Sequence, residues 1–380
     1  MATYYEFFAG GGMVRAGLGT GWRCLFANDL DAKKCASYRA NWGAGELVER
    51  DVDAIAASDL PGRPDLVWAS FPCQDLSLAG TGAGLAGARS GAFWPFWRLV
   101  AALKAEGRHP PLLALENVCG ALTSHDGRDF VAICEALAEQ GYRFGAMIVD
   151  AALFVPQSRP RLFIVAARAD LPLPPALLAD DASPRWRTRA LAAAQERLPA
   201  HLRERWLWWR LPAPPARKLD LADLVDDAPE GVAWHSPSTT RALIAMMSPI
   251  NRTKVEEAKS AGRRMVGALY RRTRYGADGA KIQRAEARFD DLAGCLRTPA
   301  GGSSRQTLLV VEAGRLRSRL ISARETARLM GLPEHYVLPQ TYADAYHLTG
   351  DGVVVGAVRH LAAHIFEPAL AHMRAARRAA

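Results

Sequence analysis

Three short segments of this 380-residue chain carry side chains that could act together on one substrate. A cysteine follows a proline in Phe71-Pro72-Cys73-Gln74, and an acid stands beside an amide in Leu115-Glu116-Asn117-Val118. Two arginines take alternate positions in Gln157-Ser158-Arg159-Pro160-Arg161. A thiolate is a nucleophile, a carboxyl group can transfer a proton, and guanidinium groups balance negative charge. Such a set suits an electron-poor ring that must be attacked, protonated and charge-balanced.

Each segment also has an ordinary structural interpretation. By itself, Cys73 is more typical of a buried structural cysteine, Glu116 with Asn117 of a capping pair, and the two arginines of a basic surface turn. A nucleophilic cysteine usually pairs with a basic residue such as histidine, and the histidine closest to Cys73 in the sequence is His109. This spacing argues against protease-like chemistry.

A glycine-rich turn and two acids indicate a nucleotide-like ligand. Gly10-Gly11-Gly12 stands where a first strand turns into a helix, so the backbone can approach a ligand closely. Asp29 follows about twenty residues later, where an acid could accept both ribose hydroxyls, and Asp51 could accept an adenine amino hydrogen. The turn would suit a dinucleotide equally well, and each acid alone is more typical of a surface residue.

The elements that must position these residues alternate between strands and helices. The pattern predicts strands at 4–8, 23–28, 65–70, 112–116, 144–150 and 161–166, with amphipathic helices such as 93–106 and 127–139 between them. Alternation of this kind predicts an α/β fold with a mostly parallel, doubly wound sheet. Because ligands bind at the carboxyl ends of such strands, we expect the polar residues above to meet at one edge.

The middle of the chain has a different character. From residue 169 prolines become frequent, tryptophans cluster at Trp206, Trp208 and Trp209, and arginines multiply. Residues 185–305 hold 23 Lys and Arg against 13 Asp and Glu, a net of 23 − 13 = +10, whereas residues 1–150 give 13 − 17 = −4. A basic part beside an acidic part is typical of a protein that holds a polyanion. A solvated arginine-rich face would give the same composition.

Several classes of protein are not favoured by the composition. The amino terminus lacks a basic run followed by an apolar stretch, so we expect no signal peptide, and no apolar run reaches the roughly 20 residues that span a bilayer. The six cysteines form no C-x-x-C pair, so we expect neither a structural zinc site nor any other metal. The sequence predicts a cytoplasmic protein.

In order and spacing, the motifs resemble those of the bacterial cytosine-5 DNA methyltransferases. The resemblance covers residues 4–168 and 319–366, with that family's variable target-recognition region between them. It rests on eight segments in the family's order: 7–12, 28–31, 71–74, Arg89-Ser90-Gly91, Glu116-Asn117-Val118, 157–161, 324–333 and Gly350-Asp351-Gly352-Val353. It implies a Rossmann-like S-adenosylmethionine-dependent methyltransferase fold with a smaller, irregular target-recognition domain.

The resemblance assigns roles to the catalytic candidates. Cys73 adds to carbon 6 of a cytosine that has been flipped out of duplex DNA, and Glu116 holds the ring and supplies a proton. Arg161 holds the carbonyl oxygen, Arg159 supports the site, and Asn117 belongs to the same motif. Carbon 5 then takes the methyl group of S-adenosylmethionine, and loss of its proton expels Cys73.

The resemblance also implies which residues hold the cofactor. Phe8, Gly10 and Gly12 contact its methionine end and Asp29 its ribose, while other residues surround the adenine or close the pocket. The full set is Phe8, Ala9, Gly10, Gly12, Asp29, Leu30, Asp51, Val52, Phe71, Pro72, Asp351 and Val353. Two departures from the family pattern bear on cofactor geometry: Asp75 replaces a small residue or proline, and Asp351-Gly352 replaces the common Asn-Ser pair.

The middle region is expected to recognise DNA. Phosphate contacts position such a domain, and a few side chains read base edges. The candidate DNA contacts are Gln74, Ser77, Arg89, Arg271, Arg272, Arg274, Ser303, Ser304 and Arg305. We predict a catalytic domain of residues 1–168 plus 335–380 and a target-recognition domain of residues 169–334, including the motif at 319–333. An ordinary surface turn remains an alternative for the loop at 298–307.

Three other functions fit part of the sequence. A tRNA cytosine-5 methyltransferase of the same superfamily shares these motifs, although the 150-residue variable region at 169–318 favours a site-specific DNA reader. A nucleotide-dependent oxidoreductase shares the glycine-rich turn but gives no role to Cys73 or Glu116. A catalytically dead relative would not need Cys73, Glu116 and Arg161 together. The expected partners are double-stranded DNA and a candidate cognate restriction endonuclease, and we expect a monomer.

Overall fold

The computed structural model describes residues 1–72, 84–87, 90–181, 183–275, 279–297 and 305–379. Its strands are β1 (Ala2–Phe7), β2 (Trp22–Asp29), β3 (Leu47–Glu49), β4 (Leu66–Ala69), β5 (Leu112–Val118), β6 (Tyr142–Asp150), β7 (Pro160–Arg168), β8 (Leu178–Ala179), β9 (Trp208–Trp209), β10 (Met265–Tyr275), β11 (Lys281–Arg288), β12 (Thr307–Glu312) and β13 (Arg315–Leu320).

The helices alternate with these strands in the first half of the chain and cluster later. They are α1 (Met13–Leu18), α2 (Ala32–Trp42), α3 (Phe93–Ala105), α4 (Arg128–Glu139), α5 (Arg189–Glu196), α6 (Ala200–Arg203), α7 (Leu221–Leu224), α8 (Pro237–Ala245), α9 (Pro249–Ser260), α10 (Ala323–Arg328), α11 (Tyr342–Asp351), α12 (Val355–Leu361) and α13 (Glu367–Ala379). A π-helical turn, Ala362–Phe366, joins the last two.

The chain folds into two compact units. The first contains Met1–Asp150, Pro160–Pro215 and Val353–Ala380, and the second contains Ala151–Arg159 and Ala216–Gly352. These boundaries differ from the predicted domains in three places. Residues 169–215 pack with the first unit, whereas residues 151–159 and residues 335–352 pack with the second.

The first unit is built on a sheet of seven strands among the described residues, in the order β3-β2-β1-β4-β5-β7-β6. All neighbours are parallel except β7, which runs antiparallel to both β5 and β6. Strand β4 is buried at every position, as expected for a strand covered on both faces. The predicted α/β fold with a mostly parallel sheet is therefore confirmed.

Residues 169–215 join the first unit because they cover its edge strand. The amide of Phe144 on β6 donates to the carbonyl of Arg205 at 3.0 Å, and Leu207 donates back to Phe144 at 2.7 Å. The indole of Trp209 donates to the carbonyl of Val165 at 3.1 Å. An exposed edge strand invites pairing with other chains, so this segment protects the sheet.

The second unit contains a four-stranded antiparallel sheet in its described part, in the order β11-β10-β12-β13. Helices α8 and α9, with the turn between them, pack on it through Leu243, Met247 and Val255. A buried ion pair joins Arg319 to Glu325 at 2.6 Å, with exposed side-chain fractions of 0% and 1%. With this antiparallel sheet, the unit is more regular than the irregular target-recognition domain that the resemblance implies.

One described segment, Tyr342–Ala379, passes a length and composition test for a membrane-crossing helix, with a mean hydropathy of 1.2. The most apolar stretch of this segment is 61% buried inside the protein. Burial of this extent is what a core helix shows.

Replacing Gly145 by Ala tests the packing of residues 169–215 on β6. A Cβ at this position would lie 1.9 Å from the carbonyl oxygen of Leu207, which is backbone and cannot rotate away. We expect Gly145→Ala to lower the free energy of unfolding by about 1–3 kcal/mol in a chemical denaturation experiment. Gly21→Ala, whose Cβ would meet no atom within 4 Å, is the matched control. Equal stability of the two variants would show that the segment does not cover β6.

Candidate active site at the carboxyl edge of the sheet

The topology brings most of the predicted site residues of the first unit to one edge of its sheet. Strands β1 to β5 are parallel, so the residues that follow them share the carboxyl edge. Strand β7 runs the other way, so its first residues reach the same edge. In the β5–β7 register Val118 lies opposite Arg161, and Glu116 lies opposite Phe163.

Glu116 and Arg161 form an ion pair at this edge. They sit diagonally on one face of the β5–β7 ladder, and Arg161 Nε lies 3.3 Å from Glu116 Oε1. The exposed fractions of the two side chains are 15% for Arg161 and 8% for Glu116. A nearly buried carboxylate is costly without a charged or hydrogen-bonding partner. The sequence placed both residues in one site, and the structure brings them together.

Asn117 ties the end of β5 to the segment that leads to Cys73. Its Nδ2 donates to the carbonyl of Phe71 at 3.1 Å, and its Oδ1 accepts from the amide of Val118 at 2.9 Å. The ring of Phe71 packs against Phe93, with centroids 5.2 Å apart. Asn117 thus positions backbone two residues before Cys73. Pro72 is half-buried and is the last described residue before it.

Arg159 has different contacts from Arg161. It belongs to the second unit, where it is 2% exposed. Its guanidinium donates to the carbonyl of Leu296 at 2.9 Å, of Gly350 at 2.8 Å and of Gly352 at 2.7 Å. These bonds fix backbone, so Arg159 has a supporting role within its own unit.

The glycine-rich turn has the shape expected of a ligand-binding loop. Three of its residues have positive φ: Phe8 at 59°, Gly10 at 54° and Gly12 at 76°. The amide of Gly10 donates to Asp29 Oδ2 at 2.8 Å, and the amide of Asp31 donates to Asp29 Oδ1 at 2.8 Å. Burial is the main cause that raises the pKa of Asp29 above its ordinary value.

The surroundings of Asp29 fit an adenosine-bearing cofactor. Each carboxylate oxygen has a second lone pair, which suits ribose hydroxyls. Leu30 follows at the sheet edge with 65% of its surface exposed, an apolar face that an adenine could cover. Asp51, which follows β3, is exposed, and its carboxylate accepts from the amide of Asp53 at 3.0 Å.

The remaining cofactor candidates differ in exposure. Ala9, Val52, Phe71 and Val353 are buried, with exposed fractions of 6%, 3%, 3% and 4%. Their place is therefore in the wall behind a ligand or in the core. Asp351 is exposed and belongs to the second unit, whereas Val353 belongs to the first.

Several predicted residues lie outside the described part of the chain. The list is Cys73, Gln74, Asp75, Ser77, Arg89, Ser303 and Ser304. Arg305 is described, and its guanidinium lies 5.0 Å from the ring centre of Tyr342.

The predicted DNA contacts of β10 lie on an exposed β-ribbon. Arg271, Arg272 and Arg274 are exposed, and β10 pairs with β11 up to Tyr275 opposite Lys281. Arg272 lies 3.4 Å from Glu286 on the neighbouring strand, and Arg274 also pairs with this carboxylate. On the other face, Gln283 donates to Thr273 at 3.0 Å.

Two buried polar residues were not predicted to matter. Glu6 on β1 is 1% exposed, and burial raises its pKa to about 8. Gln157 is fully buried in the second unit, where it donates to the carbonyl of Leu329 at 2.7 Å and accepts from the amide of Leu296 at 3.1 Å. The sequence signal that could have identified Glu6 is an acid within a mostly apolar strand. The signal that could have identified Gln157 is its place next to the arginine motif.

Comparisons with known proteins place the chain in a family. The family model described as "C-5 cytosine-specific DNA methylase" matches residues 2–367. The type II methyltransferase M.PspPI of Psychrobacter sp. (strain TA137) is 33% identical over 44% of this chain and 39% of its own length, so the chain aligns with well under half of that relative. M.NlaX of Neisseria lactamica is 26% identical over 94% of both chains.

Solved structures support the fold. The S. pombe Dnmt2 methyltransferase superposes with a TM-score of 0.60 over 97% of this chain and 99% of its own, at 17% identity. The Entamoeba histolytica methyltransferase EhMeth superposes with a TM-score of 0.62 at 14% identity, over 97% of this chain and 98% of its own. The resemblance seen in the motifs is confirmed over nearly the whole sequence. This chain belongs to the family of C-5 cytosine-specific DNA methylases.

Proposed function

We propose that this chain is a site-specific DNA (cytosine-5)-methyltransferase whose nucleophile is Cys73. The observation that carries the proposal is the Glu116–Arg161 pair, which lies at the sheet edge where Asn117 also holds the backbone leading to Cys73. The family uses S-adenosylmethionine.

The chemistry follows from these groups. The cysteine thiolate adds to carbon 6 of the cytosine, and N3 takes a proton from Glu116, which must be in its protonated form at this step, as the ring loses aromaticity. Arg161 donates to the carbonyl oxygen and keeps Glu116 oriented. When bound, S-adenosylmethionine would supply the methyl group for carbon 5 and would leave as S-adenosylhomocysteine. A base then removes the carbon-5 proton, the carbon–sulfur bond breaks, and the N3 proton returns to the site.

The cofactor would lie along the first half of the same edge. Asp29 would accept the ribose hydroxyls, Leu30 and Val52 would line the adenine, and the backbone of the glycine-rich turn would approach the methionine end. Phe8 follows the last residue of β1 and has a φ of 59°, so the backbone leaves the extended conformation at this residue. Asp51 would accept from the adenine amino group.

The described cysteines support the choice of Cys73. Five are described, none of them in a disulfide: Cys24, Cys35, Cys119, Cys134 and Cys295. Burial raises the pKa of Cys24 to about 11 and that of Cys35 to about 12, and it also raises those of Cys119 and Cys134. A raised pKa keeps a thiol protonated and weakly nucleophilic. These four cysteines are therefore poor alternatives to Cys73.

We propose that both units contribute to DNA binding. Between residues 185 and 210, seven arginines stand against two glutamates, so 7 − 2 = +5 of the net +10 of residues 185–305 belongs to the first unit. The other +5 belongs to the second unit, where the β10–β11 ribbon is the strongest candidate for base contacts. The major groove of DNA admits a two-stranded β-ribbon.

The partner, oligomeric state and location of the protein form the rest of what we propose. The relatives are named type II methyltransferases, so we propose a cognate restriction endonuclease as functional partner. We further propose a monomer that acts in the cytoplasm. A tRNA substrate is the alternative, because the same basic surfaces would suit it.

Covalent trapping tests the role of Cys73. A cytosine that carries fluorine at carbon 5 cannot lose that substituent as a cation, so the adduct formed after methyl transfer should survive denaturing electrophoresis. We expect trapping to require both cofactor and target DNA, and Cys73→Ala to abolish it. Glu116→Gln, which removes the proton source, should slow trapping by about 10²–10⁴-fold. An adduct mapped to Cys119 or Cys295 would contradict the mechanism.

Salt dependence tests the ribbon. Each phosphate contact releases condensed counterions, so log affinity falls linearly with log salt, with a slope near −0.9 per contact. The triple variant Arg271→Ala, Arg272→Ala, Arg274→Ala should weaken DNA binding and make this slope shallower by up to about 3. Arg315→Ala, on β13 of the same sheet, is the control. An unchanged slope in the triple variant would show that the ribbon does not contact the DNA backbone.

A further inference from the structure

The glycine-rich turn is contacted by a tryptophan that neither the motifs nor the catalytic mechanism uses. Trp42, at the end of α2, donates from its indole Nε1 to the carbonyl of Gly11 at 2.9 Å. A Cβ at Gly12 would lie 2.4 Å from the same nitrogen, so the indole packs directly against the turn. Trp42 lies 31 residues after Gly11 in the sequence.

Trp42 is itself held in place. The guanidinium of Arg15 lies 5.4 Å from the centre of the Trp42 ring and 5.7 Å from that of Tyr38. Arg15 also donates to the hydroxyl of Tyr38 at 3.0 Å and pairs with Glu46. Stacking of a cation over aromatic rings orients both partners. The rotamer of Trp42 is therefore fixed by neighbours on α1, on α2 and in the loop after it.

The turn is thus bonded from two sides. Asp29 accepts from the amide of Gly10, and Trp42 donates to the carbonyl of the next residue. These bonds hold the two peptide groups on either side of the Gly10–Gly11 peptide, and positive φ at Gly10 and Gly12 is compatible with both. The same peptide is held at its other end, because the amide of Gly12 donates to the carbonyl of Ala9 at 2.8 Å. Loss of the indole bond would remove one of the restraints on this peptide and loosen its orientation.

We infer that Trp42 is a positioning residue for cofactor binding, which acts by fixing the Gly11 peptide in the ligand-bound shape. The inference rests on the proposed function, because it requires the turn to hold the cofactor. Preorganisation of this kind lowers the ordering cost of binding and so acts on affinity. It leaves the chemical step to Cys73, Glu116 and Arg161.

The test is the affinity of the full-length protein for S-adenosylhomocysteine, measured by isothermal titration calorimetry without DNA. Trp42→Phe keeps an aromatic ring and removes the donor, so we expect the Kd to rise about three- to tenfold. The KM for S-adenosylmethionine should rise by a similar factor, and kcat at saturating cofactor should stay within about twofold.

Trp22→Phe is the matched control. It removes an indole bond of similar length in the same unit, from Trp22 Nε1 to Glu367 Oε1 at 3.0 Å, away from the turn. We expect its Kd to equal that of the wild type. Equal Kd values for Trp42→Phe and wild type, or an equal rise in both variants, would overturn the inference. A wild-type protein that does not bind S-adenosylhomocysteine would overturn the proposed function as well.

A second variant covers the case in which Trp42→Phe is too unstable to measure. Arg15→Met keeps the aliphatic stem and removes the cation that orients the Trp42 ring. We expect its Kd to rise about two- to threefold, in the direction of the Trp42→Phe effect, because each exposed cation–π contact contributes modestly. An unchanged Kd for Arg15→Met in that case would overturn the inference.

Discussion

The antiparallel direction of β7 is the constraint on which the candidate catalytic site depends. In a purely parallel sheet, the start of β7 would lie at the opposite edge from the end of β5. Reversal of β7 instead places Arg161 across from Val118, within 3.3 Å of the Glu116 carboxylate. The acid and the cation can therefore face the same ring. A nearly buried carboxylate without this arginine would be costly. The reversed direction of β7 is what brings the arginine to the carboxylate.

The cofactor half of the edge is organised by backbone register. Phe7 lies opposite Asn28, and the Asn28 side chain donates to the carbonyls of Val48 and Arg50 at 3.0 and 2.7 Å. The buried Asn28 side chain thus fixes the end of β2 relative to the end of β3. Asp29 then connects β2 to the glycine-rich turn through Gly10. The groups proposed to bind ribose and adenine are consequently set by strand pairing.

Much of the first unit could be predicted because its signals are local. Apolar runs bounded by polar residues marked β1, β2 and β4 to β7, and the polar residue that ends each run marked the edge. Strand β3 was missed because Leu47–Glu49 is only three residues long. The direction of β7 and the pairing of Glu116 with Arg161 depend on contacts between distant segments. The spacing of apolar residues in a single sequence does not reveal such contacts.

The second unit was harder to predict for the same reason. Strand β10 pairs with both β11 and β12. Its second half is exposed and rich in arginine, so apolar and polar residues do not alternate along it as they do in a half-buried strand. The place of residues 169–215 depends on bonds between Phe144 and the segment around Arg205. Composition assigned these arginines to a DNA-reading domain, but packing assigns them to the first unit. The role of Trp42 had no local signal at all.

The most direct test of the account is the chemical identity of the methylated base. Purified protein would be incubated with isotopically labelled S-adenosylmethionine and either duplex DNA of mixed sequence or total tRNA, and the nucleosides would be separated by liquid chromatography and mass spectrometry. We expect the label in 5-methyldeoxycytidine from DNA, and we expect Cys73→Ala and Arg161→Met to reduce it strongly. Label in N4-methyldeoxycytidine or N6-methyldeoxyadenosine, or in tRNA alone, would contradict the account.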